Sequence, residues 1–187
     1  MPRESRPLNS IPKLVSRFFL STIIALVVAL VVGVPAVVVI RFFTDVRMIE
    51  DAISYGLQVV VAGVVLYIMV QRYVVAERAQ VPFKPLLIAV VIAQVLFGLA
   101  IFALRSSFWA SFVSVPSATL YNMLTKGTSR ENLAWLYALL CLLNALLFGV
   151  FDILGYFAGK RKYAIEKQKR ESAYEAENPT GIPREIP

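Results

Sequence analysis

The side chains with the most chemical scope in this sequence are few, and they lie in apolar surroundings. Asp152 is the only charge in the run 132–159. An ionised carboxylate at the centre of a bilayer costs about 2.5–3.5 kcal/mol on insertion scales, so Asp152 requires either a partner or a place at the membrane surface. If the run crosses only over 133–151, Asp152 sits at the interface, with Tyr156 and Phe157 in the aromatic belt. If the crossing continues to Gly159, Asp152 is buried, and Arg72, Lys84 and Arg17 are the cations available to it. A proton- or cation-coupled role then opens. Gln58, Gln94 and Asn144 are further polar groups within apolar runs, with Ser54, Ser21 and Thr22 beside them. Gln58 and Gln94 are expected near mid-span, bonded to each other or to Asn144, at about 0.6 kcal/mol per interhelical bond. Asp152, Asn144, Gln94 and Gln58 thus form either interhelical glue or the lining of a permeation site.

What is missing narrows the chemistry further. The chain has no histidine and one cysteine, Cys141. Histidine-ligated haem, histidine-containing zinc or copper sites and Ser-His or Cys-His nucleophile pairs are therefore excluded, as are an intrachain disulfide and a CxxC pair. Asp152 has no second aspartate for intramembrane proteolysis, and Ser129 in Gly127-Thr128-Ser129 has no base to activate it. The expectation is no catalytic residue, no metal and no cofactor. The net charge of +7 does not point to nucleic acid: of 19 Lys and Arg residues, 4 precede the first apolar run and 7 follow the last. Cations flanking apolar spans record membrane orientation and contact with anionic lipid.

Long helices must position these groups. The 187 residues are 58% hydrophobic and 17% charged, too few charges to cover a soluble domain, and the mean hydropathy is +0.70. Uncharged runs of 23 residues (18–40), 20 (52–71) and 20 (85–104) precede the 28-residue run 132–159. Each is long enough as a helix to cross roughly 30 Å of hydrocarbon at about 1.5 Å per residue, and helices satisfy their own backbone in lipid. The first run exceeds the apolar region of a cleaved signal peptide and reads as a retained anchor. The expected fold is an all-α membrane protein. A four-helix transmembrane domain over 18–159 lies between an N-terminal segment, 1–17, carrying an interfacial helix and a basic tail, 160–187, that is helical first and disordered at its end.

Fourteen cations lie on the termini and the second loop, against five on the other two loops, so both termini are expected in the cytoplasm. Residues 106–125 are uncharged but rich in Ser and Thr, with Pro116 in the middle. They are expected as an external surface loop with a short helix after Pro116; the alternative is a re-entrant half-helix lining a polar path.

Ala138, Cys141, Ala145, Gly149, Asp152, Tyr156 and Gly159 fall within about 40° of one line on a helix, a mostly small-residue face suited to a packing seam. Gly155 and Gly159 also spell GxxxG. Lys160, Arg161, Lys162, Lys167, Lys169 and Arg170 form a candidate contact for anionic lipid headgroups. The expected partners are membrane lipids and other membrane subunits or further copies of the chain. The sequence lacks an N-x-S/T acceptor, and a bacterial plasma membrane is the expected location. The scarcity of chemical groups reads first as a non-enzymatic accessory or assembly subunit of a larger membrane complex, and second as a small oligomeric transporter or channel built around Asp152.

Overall fold

A computed structural model describes residues 11–43, 47–78, 80–103, 115–125 and 134–177. Five helices account for nearly all of them: α1 (Ile11–Arg41), α2 (Arg47–Ala76), α3 (Phe83–Ala103), α4 (Val115–Leu124) and α5 (Ala134–Glu177). No strand occurs among the described residues. Four of these helices, all but α4, are long and apolar enough to cross a membrane. Each takes in one of the uncharged runs over the residues described, and a helix satisfies its own backbone where there is no water.

The helices close into a ring in the order α1, α2, α5, α3, so that α5 packs on α2 and α3 while α1 packs on the same two from the other side. Glycines set the register. Gly63, Tyr67 and Gln71 of α2 lie against Phe151, Gly155 and Gly159 of α5, so these two helices run parallel, with partners 88 positions apart. Gly98 of α3 lies against Leu142, and Gly149 against Val90 and Gln94, so α3 runs antiparallel to α5. The GxxxG pair is thus used: a Cβ on Gly155 or Gly159 would stand 2.6 Å from the Tyr67 carbonyl oxygen or 2.9 Å from that of Gln71. Six members of the expected seam are buried, and Ala138 is half-buried.

The N-terminal end of the chain differs from the expected outline. Residues 11–17 are not a separate interfacial helix, because α1 runs from Ile11 through the first span without a break and buries Leu14 and Phe18 in the core. Leu14 packs with residues of α2 and α3, whereas Ile11 is exposed. At the other end α5 continues past Gly159 to Glu177, and its 44 residues are about 66 Å long at the usual rise. Lys167 and Glu171 pair at 3.6 Å on the exposed stretch. The segment 1–10 and the end of the tail, 178–187, lie outside the described residues.

Candidate functional site

Three helices meet at one polar centre. Gln94 of α3 donates through Nε2 to Thr22 Oγ1 of α1 at 2.9 Å and to Asp152 Oδ2 of α5 at 3.0 Å. Thr22 in turn donates to the Phe18 carbonyl one turn back, at 2.9 Å. The exposures are 0% for Thr22 and Asp152 and 1% for Gln94, so no part of the centre touches solvent or lipid. Gln94 lies ten residues from Lys84 and eleven from Arg105, the charges that bound its apolar run. That is about 15 Å from either end, the middle of a span. Asp152 is therefore buried inside the bundle, level with the middle of α3.

The expected cation partners do not reach it. Arg17 stacks on Tyr73, its guanidinium carbon 3.9 Å from the ring centre, and Lys160 lies 5.1 Å from the Tyr156 ring centre. Phe83, the neighbour of Lys84, packs on Tyr156 and Phe157. These contacts gather Arg17, Arg72, Lys84 and Lys160 at one end of the bundle, about 12 Å along α5 from Asp152. The partner is the Gln94 amide instead, and the pairing leaves a deficit: Asp152 Oδ1 and Gln94 Oε1 are both buried without a hydrogen-bond partner among the described residues. Two acceptors lack a donor.

A second polar cluster lies toward the other end. Tyr55 of α2 donates to Asn144 Oδ1 at 2.7 Å, and Asn144 Nδ2 donates to Ser117 Oγ of α4 at 3.1 Å. Ser117 is buried, and four residues later Tyr121 packs edge-on to Tyr137, with ring centres 5.4 Å apart. Moving along α4 from Ser117 to Tyr121 thus moves back along α5 from Asn144 toward its start. Leu142 lies beside Gly98, so Asn144 is level with the interior of α3 rather than its end at Ala103. The start of α4 therefore packs against α2 and α5, and a short helix is found at 115–124 as expected around Pro116. Pro116 and Ser117 are both buried, whereas Leu124 is exposed. Residues 106–114 lie outside the described set.

Gln58 joins neither cluster. It donates to Ser54 one turn back, at 3.3 Å, packs against Gly33 of α1 and leaves its Oε1 unpartnered. The expected bonds among Gln58, Gln94 and Asn144 are absent, because each glutamine faces a different helix pair. Tyr55 was missed by sequence reading: a tyrosine eight residues into a helix reads as an interfacial aromatic.

Two clefts open at the basic end. One, about 330 Å³, lies between α1 and α2 and is flanked by Arg17 and Arg72 with buried Ser21 at its wall. The other, about 560 Å³, lies between α2 and α5 and is lined by Tyr67, Gln71, Phe157, Arg161, Lys162 and Lys169, among others. Half of the expected lipid-contact set therefore shares a groove, whereas Lys167 is turned to Glu171. Among the described residues no group of three His, Cys, Asp or Glu side chains is placed to hold a metal ion.

No known family, curated protein or solved structure matches this chain. The geometry alone carries the functional argument.

Proposed function

We propose that this chain is a small multi-pass transport protein, working as an oligomer in a bacterial plasma membrane with both termini in the cytoplasm. In this reading Asp152 takes up and releases a proton in the course of transport. The observation that carries it is Asp152 itself: a wholly buried carboxyl group level with the middle of α3, with an amide as its partner and one oxygen without a partner among the described residues. An ionised carboxylate is costly there, and intramembrane ionisable groups commonly mark ion and proton pathways. One proton on Oδ1 removes the charge and turns an orphan acceptor into a donor. Polar groups extend from this centre in both directions. Ser117, Asn144 and Tyr55 lie toward one face, and Ser21 with the arginine-flanked cleft lies toward the other. A half-helix such as α4 is tolerated at membrane depth where protein or a water-filled path shields it.

The test is proton flux into vesicles. The purified chain in liposomes holding a pH-sensitive dye, driven by a potassium diffusion potential, is expected to carry protons, and Asp152→Asn to lose that flux while the protein stays folded. Flux equal to that of protein-free vesicles, or flux untouched by Asp152→Asn, removes the proposal.

One feature favours a second reading, the non-enzymatic accessory subunit. Helix α5 runs about 27 Å past Gly159 as a single helix whose Glu171, Ser172 and Ala173 are exposed. Such an arm suits docking to another subunit of a membrane complex. Co-purification of stoichiometric foreign subunits, lost when 170–187 are deleted, is the result that would move the assignment there.

A further inference from the structure

We infer that the cleft between α1 and α2 holds the phosphate of an anionic phospholipid, with an acyl chain running from it along the outer seam of the two helices. This inference is independent of the transport reading. Arg17 and Arg72 flank the cleft, and neither has a carboxylate within ion-pairing distance among the described residues. Among those residues neither positive charge is thus neutralised by an ion pair, and Arg17 is engaged by Tyr73 alone. Arg17 is held in place by stacking on Tyr73, so little of its freedom remains to be lost on binding. Guanidinium groups match phosphate oxygens in a forked geometry that a lysine cannot supply.

The apolar surroundings say which source of phosphate fits. Phe18, Met69 and Val70 line the cleft below the arginines. Ile24 lies one helical turn deeper than Ser21, and Ile68 one turn deeper than Arg72, both exposed on the outside of the bundle. The seam is thus cationic at the end where headgroups lie and apolar along the next turns, which is the order of charge and hydrocarbon along a phospholipid. A free phosphate would use the arginines and leave that track without purpose.

Thermal unfolding of the full chain in nonionic detergent, titrated with phosphatidylglycerol, phosphatidylcholine or inorganic phosphate, tests the assignment. Phosphatidylglycerol is expected to raise the unfolding temperature saturably, and more than phosphatidylcholine does. Arg72→Gln and Arg17→Gln should each weaken the midpoint of that response about fivefold, the worth of one cation at an anionic headgroup. Arg72 does not stack on Tyr73, so Arg72→Gln remains informative even if Arg17→Gln disturbs folding. Replacing Arg161, Lys162 and Lys169 by glutamine should weaken the response less than the arginine pair does. Equal stabilisation by phosphatidylcholine, full reproduction by inorganic phosphate alone, or a response lost with the tail cations and kept without the arginines would each overturn the inference.

Discussion

Gly155 of α5 lies so close to Tyr67 of α2 that a Cβ at position 155 would stand 2.6 Å from the Tyr67 carbonyl oxygen and 3.1 Å from its Cα. The obstacle is backbone, which cannot swing aside as a side chain can. Gly155→Ala is therefore expected to destabilise the bundle by about 1–3 kcal/mol, the usual cost of overpacking. Gly56→Ala, where nothing lies within 4 Å, should be neutral or mildly stabilising. Equilibrium unfolding in mixed micelles compares them, and equal effects would mean that the α2–α5 seam is looser than described.

The bond between Gln94 and Asp152 predicts coupling between the two positions. In a cycle of Gln94→Leu, Asp152→Leu and the double variant, the coupling is expected between about 0.6 and 1.7 kcal/mol, the range for interhelical bonds in membranes. Additivity within about 0.3 kcal/mol would show that the pair contributes no specific interaction.

The docking of α4 rests on Asn144. In a Cys141→Ala background, Ser117→Cys is expected to react slowly with a membrane-impermeant thiol reagent, because Ser117 is 3% exposed. Adding Asn144→Leu removes the bond partner and should raise the labelling rate several-fold. Fast labelling without the second substitution would place Ser117 at a surface.

Four crossings, if all four long helices span, would put both ends on one face. In the same cysteine-free background, Lys13→Cys, Gln80→Cys and Lys167→Cys are expected to label from the cytoplasmic side only, and Phe43→Cys from the opposite side only. Labelling of Lys13→Cys and Lys167→Cys from different sides would refute the four-span topology.

How much of this was legible in the sequence depends on the range over which each feature is set. The spans were, because a run such as 85–104 carries its own signal: twenty apolar residues in water have no other stable place. The small-residue face of α5 was legible too, since Cys141, Ala145, Gly149 and Gly159 share one side of one helix. Partners were not. Gln94 meets Thr22 and Asp152 rather than Gln58 because glycine contacts far apart in the chain fix the register between helices, and no local pattern encodes that offset. The same holds for α4, whose Ser117 reads as surface until Asn144, itself held by Tyr55, is brought to meet it.

The ring order has a consequence for biosynthesis. Helix α5 is synthesised after the other four helices, yet it occupies the seat between α2 and α3 and carries the carboxyl that Gln94 engages. Until α5 enters the bilayer, the amide of Gln94 has Thr22 alone, and the bare backbone facing Gly155 and Gly159 has no mate. A ribosome stalled before residue 134 would thus leave three helices around an open polar slot, the kind of exposed surface by which membrane quality control recognises an unfinished chain.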